Sequence, residues 1–171
     1  ATYDSRVVAG GAFHLVSSIP VTVYQFNALE YAGKGGKPGK SWTTCPGLIT
    51  GCFSYSNDAS ILLPSTAMTG TYRLTGYKGS TGSPTFSAIT GTVDNTSVTV
   101  KLSANGAVVA GSGVTAQAGG GTVNVTINAG DVLLLTTKSG ADADMSGSLV
   151  TADKPIQALT GVPCTEIPEG K

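Results

Sequence analysis

The chain has 171 residues, enough to bury a real core without metals or many disulfides. Charged residues make up only 12% and the formal net charge is zero, so neither the basic stripe that nucleic-acid binding needs nor a polybasic membrane anchor is present at domain scale. Hydrophobic residues make up 40%, which excludes a disordered segment, yet no run approaches the roughly 20 apolar residues that span a bilayer.

In place of charge the chain carries Ser, Thr and 24 glycines, the composition of short strands joined by many turns. In chain order, Val21, Val23 and Gln25 share a face after Pro20. Ile61-Leu62-Leu63 is a short apolar run ended by Pro64, and Ser65 to Met68 has room for one helical turn at most. Tyr72 alternates with Leu74, and Phe86 with Ala88. The clearest alternation is Val98, Val100 and Leu102, followed by Asn105-Gly106, which predicts a hairpin turn with Val108 opening the return strand. After the connector Ala118-Gly119-Gly120-Gly121, Val123, Val125 and Ile127 alternate again. Asn128-Ala129-Gly130-Asp131 then predicts a turn, and Val132 to Leu135 a buried strand.

No helical stripe lasts three turns. Many short, evenly punctuated strands predict an all-β fold, a two-layer antiparallel β-sandwich with jelly-roll-like or Greek-key connections. One domain over residues 1–171 is expected, a mature product or an excised piece of a longer chain. Leu15 to Val23 echoes Leu149 to Ala158, each pairing an apolar strand end with a Pro-started strand, which fits either two similar halves or convergent strand starts.

Several segments, in order, resemble one family. They are Ser18 to Asn27, Tyr55 to Pro64, Asp94 to Val100, Asn128 to Val132 and Asp144 to Ser148, the last running into Asp153-Lys154-Pro155-Ile156 with Cys164 close behind. This pattern is similar to the IgGFc-binding protein N-terminal domain family, found in animal mucin-like proteins and in large bacterial surface proteins. The resemblance spans nearly the whole chain. It implies a secreted or cell-surface setting and an adhesive or binding role, and it carries over no ligand-contact residues.

The residues themselves offer few chemical constellations. Gly33 to Ser41 invites a phosphate-loop reading, but Lys34 stands where such a loop needs Gly, and Pro38 removes a backbone N–H. The same stretch is the best candidate contact surface. Lys34, Lys37 and Lys40 precede Trp42, the only Trp, and an aromatic beside cations suits an acidic protein patch or a sugar ring. The competing reading has Trp42 packed and the lysines merely solvated. Asn57 and Asp58 join the candidate contacts. Asp142 and Asp144 raise calcium, which wants six to eight oxygens, whereas turn capping is the commoner role of such residues. Cys45, Cys52 and Cys164 allow one disulfide, Cys45 with Cys52 or Cys52 with Cys164, or none. Asn95-Thr96-Ser97 and Asn124-Val125-Thr126 match the glycosylation sequon.

His14 is the only His and no Gly-x-Ser-x-Gly elbow occurs, so a triad would need long-range assembly. The expectation is therefore a non-catalytic extracellular module without cofactor or metal, meeting a protein or glycan on a cell surface. A carbohydrate-binding module and a spacer domain without its own ligand are the alternatives.

Overall fold

A computed structural model describes residues 3–27, 58–79, 82–163 and 165. Lys34, Lys37, Lys40, Trp42, Asn57 and all three cysteines lie outside these residues. The chain divides into two compact units, Ala1–Val16 with Pro64–Lys171, and Ser17–Leu63.

Among the described residues the larger unit holds seven strands: β1 (Arg6–Val8), β4 (Thr69–Arg73), β5 (Phe86–Gly91), β6 (Thr96–Lys101), β7 (Thr122–Ile127), β8 (Val132–Thr136) and β9 (Leu149–Gly161). Just before β4 lies the 3-10 turn Ser65–Ala67, in keeping with the single turn expected there. The smaller unit holds β2 (Val23–Asn27) and β3 (Asp58–Leu62), paired antiparallel with Tyr24 opposite Ile61 and Phe26 opposite Ala59. Tyr24 and Phe26 stand two apart on one face, their ring centroids 6.4 Å apart, and with Ile61 they are exposed.

The seven strands form one antiparallel sheet that nearly closes on itself, built around β9. Ile156 pairs with both Thr69 of β4 and Gly91 of β5, and Thr151 with both Thr71 of β4 and Thr99 of β6. A strand has two edges, so β4 occupies one edge of β9, while β5 and β6 follow one another along the other. The next layer repeats this. β8 pairs with β5 and β7 with β6 in almost the same register, Thr90 opposite Val132 and Thr96 opposite Ile127. β5–β6 and β7–β8 are thus two long ribbons, each broken in the middle, and β1 closes the far edge of β8.

Alternation explains the interior. Ile89, Leu133, Leu135 and Ile156 from one half of the ribbons join Val98, Val100, Val123, Ile127 and Val150 from the other in a single core cluster. Both halves therefore curl toward the same interior. Leu74, Leu102, Val108, Val114 and Met145 fill its ends from connections between strands.

Three local expectations are corrected. The predicted return strand at Val108 does not form, and β6 pairs instead with β7. A tight two-residue hairpin at Asn105-Gly106 would need positive φ at both residues, and neither has it. The turn instead closes from the Gly106 N–H to the Ser103 carbonyl. The chain leaves on an excursion where Val108 bridges Gln117 and Thr137, and returns at Gly119, where a Cβ would lie 1.8 Å from the Ala104 carbonyl oxygen. Second, Pro155 lies inside β9 and does not start a strand, while Leu15 to Thr22 form none. The missing N–H is harmless because Pro155 falls between the stretch of β9 paired with β6 and the stretch paired with β5. Third, the inward residues of β5 are Ser87, Ile89 and Gly91, not Phe86 and Ala88. Ser87 is tolerated inside because its hydroxyl donates to the Leu159 carbonyl at 3.1 Å.

Ile156 is fully buried and touches both edges of the spine. Ile156→Ala should cost about 2–5 kcal/mol, seen as a lower urea midpoint with an unchanged slope.

Candidate functional site

Three of the segments that carry the family resemblance converge. Asp94-Asn95-Thr96, Asn128 to Asp131 and Asp153-Lys154-Pro155 lie side by side where the ribbons break and the backbone ladder stops. Side chains take over its hydrogen bonds. Asp94 Oδ1 accepts the Ala129 N–H at 3.0 Å, and Asn128 Oδ1 accepts the Asn95 N–H at 3.0 Å. Asp131 uses both oxygens, Oδ2 on the Asn128 N–H and Oδ1 on the Gly10 N–H, each at 2.9 Å. Asp153 Oδ1 accepts the Ser97 N–H at 2.8 Å, and Lys154 Nζ donates to the Asn95 carbonyl. Asn95 takes φ 55°, the left-handed region that Asn tolerates better than most residues. Gly91 is needed because a Cβ there would lie 2.5 Å from the Asn128 carbonyl oxygen.

This crease is brace more than binding site, since most of its polar atoms are spent on backbone. Hydrogen bonds from the Gly10 and Asn128 amides hold the Asp131 carboxyl below its ordinary value. A bond from the Ser97 amide, with the charge of Lys154, does the same for Asp153.

A second cluster behaves alike. Asp144 Oδ1 accepts the Ser146 N–H at 2.8 Å, Ser146 Oγ accepts the Gly76 N–H at 2.9 Å, and Ser148 Oγ accepts the Ser103 N–H at 2.9 Å. Asp144, weighed for calcium, is thus a turn cap. Asp142 is exposed, and among the described residues no three His, Cys, Asp or Glu side chains gather where a metal could be held. His14 is exposed, and Asp58 opens β3 opposite Asn27. Of the expected contact residues, only Asp58 falls among those described.

What remains open is the outer face of β6 and β7. Ser97, Val98, Thr99, Asn124, Val125 and Thr126 line a shallow depression of about 220 Å³. Thr99 Oγ1 donates to Asn124 Oδ1 at 2.9 Å, which leaves the Asn124 amide N–H groups facing outward. The lining of the depression is neutral, made of hydroxyls, one carboxamide and two valines. It suits hydrogen-bonded contact and offers no acid, base or nucleophile–base pair. Apart from the two sequons, the signal in these strands is alternation, which turns Ser97, Thr99, Asn124 and Thr126 outward and Val98 into the core.

The crease implies a pH dependence. A carboxyl whose folded pKa lies below its unfolded value adds stability at higher pH and loses it as pH falls through the folded pKa. The ordinary value for Asp131 and Asp153 is 3.8, so the loss sets in below it. The urea midpoint should fall as pH drops from about 5 to about 2. Asp131→Asn should lower it at neutral pH and flatten that fall.

Comparison with known proteins completes the description. The IgGFc binding protein family matches residues 58–171, two thirds of the chain, from the first residue of β3 through all of β4 to β9. No curated protein and no solved structure matches the chain. The match takes in the crease, the Asp144 caps and the β6–β7 face together, and the chain belongs to the IgGFc-binding protein family.

Proposed function

We propose that this chain is an extracellular partner-recognition or adhesion module of a larger cell-surface protein, and that it does not catalyse a reaction. Its family membership carries this reading, since the family is named for binding another protein. The site chemistry agrees with it. The polar side chains of the crease are spent on holding backbone, and the face left open is neutral and hydrogen-bonding. No helix among the described residues is long and apolar enough to cross a membrane. The scaffold is read as a β-sandwich whose two layers are the two halves of the broken ribbons.

The contact residues proposed are Lys34, Lys37, Lys40, Trp42, Asn57 and Asp58, since an aromatic close in sequence to cations is the usual make-up of an interface hot spot. The family's name supplies the first probe. Immobilised IgG Fc and a panel of cell-surface glycoproteins, native and deglycosylated, should be tested for saturable binding of the chain. Trp42→Ala should weaken the interaction about tenfold or more while leaving the thermal midpoint in place. Binding that disappears on deglycosylation would move the reading to a carbohydrate module. Absence of binding across the panel, or turnover of a substrate, would overturn it.

A further inference from the structure

Among the described residues the sheet has three outer edges, at β1, β4 and β7, and they are treated differently. Proteins guard exposed edges with charge, proline, bulges or cover, because unpaired N–H and C=O groups recruit other strands. β1 is three residues long, begins with Arg6, and is covered beyond by the Val7 N–H bonding the Ser112 carbonyl. β4 ends in Arg73 and its register shifts between Thr69 and Thr71. β7 is Thr122-Val123-Asn124-Val125-Thr126-Ile127, with no charge, no proline and no register shift against β6.

The register shows which of its backbone groups are free. The Leu102 N–H bonds the Gly121 carbonyl, and hydrogen-bonded pairs alternate along an antiparallel ladder. Val123, Val125 and Ile127 therefore bond to β6, while Thr122, Asn124 and Thr126 turn their N–H and C=O outward. None of these three pairs with another strand among the described residues.

The free edge also reads the same in both directions: Thr122-Val123-Asn124-Val125-Thr126 is a palindrome. We infer that β7 pairs with β7 of a second copy of this chain, antiparallel, about a two-fold axis through Asn124. Of the axes that oppose outward groups to outward groups, the one through Asn124 engages all three outward residues. It puts Asn124 opposite Asn124 and Thr122 opposite Thr126 of the other copy, each as a hydrogen-bonded pair, using the outward groups and no others. The side chains match as well. Thr meets Thr and Asn meets Asn on the exposed face, and Val meets Val on the inner one, which are favourable cross-strand partners. A two-fold contact of this kind is self-complementary and closes after two copies. It buries only a strand's width of surface, so the association is weak and concentration-dependent.

The test uses unglycosylated full chain in sedimentation equilibrium up to about 1 mM, where a millimolar affinity becomes visible. Amide exchange is followed at low and high concentration alongside. The expected result is a monomer–dimer equilibrium in which the Thr122, Asn124 and Thr126 amides slow as concentration rises. Asn124→Lys, which sets like charges at the axis, should abolish the dimer. Asn124→Pro should do the same by deleting an outward N–H that β6 does not use. Thr71→Lys, on the β4 edge, should leave it intact. A monomer throughout the range, a dimer that survives both Asn124 variants, or unchanged exchange at the three amides would each overturn the inference. None of these outcomes depends on whether the chain binds Fc or any other partner.

Discussion

The fold rests on a substitution of hydrogen-bond partners. Two adjacent ribbons and the β9 spine lose their regular pairing at the same level, and amides there still need acceptors. Asp94, Asn128, Asp131 and Asp153 supply them from side chains. Bonds to ionised carboxylates are the stronger kind. The break thus becomes a defined joint, and the sheet can turn inward without leaving amides bare. Core packing follows from that joint, because Ile89 and Leu133 on one side can meet Val98 and Val123 on the other only if the ribbons bend.

The same constraint shapes the functional reading. An acidic, asparagine-rich crease in a sheet resembles a ligand site, but its acceptor atoms are taken. Asp131 has both oxygens committed, and Asp144 caps its own turn. Those side chains maintain shape, and binding falls to the surfaces that shape presents. The β6–β7 face is held from behind by Val98, Val100 and Val123, all fully or nearly fully buried. A surface on such a support would lose little freedom on meeting a partner.

The sequence makes the strands legible and the joint illegible. β6 and β7 can be read from alternation because one residue in two faces the core, and β8 from its apolar run, both purely local properties. The turn at Asn128 to Asp131 is equally local. The return strand at Val108 misleads because Asn-Gly signals a hairpin only when both residues take positive φ, and the surrounding chain decides that. Pro155 misleads because a proline inside a strand is tolerated only at a gap in the pairing, and the gap is set by β5 and β6, more than fifty residues earlier. Asp94 and Asn128 stand 34 positions apart, and nothing in either segment announces that they meet. The β6–β7 face was hidden differently: serine, threonine and asparagine are ordinary on the wet side of a strand, whereas lysines around a lone tryptophan draw the eye.

The register of the first and last strands of the larger unit has a mechanical consequence. Arg6, where β1 begins, sits level with Leu134, and Gly161, where β9 ends, sits level with Phe86 and, across it, Thr136. The chain therefore enters and leaves this sheet at one rim. Antiparallel hydrogen bonds run across the strands, so tension that draws these two points apart acts along the bonds and loads them in succession instead of together. β1, with three residues, is the first to peel. Under tension the sheet would open like a zip from the Arg6 end, yielding at low force and leaving the β9 spine with its β4 and β6 partners until later.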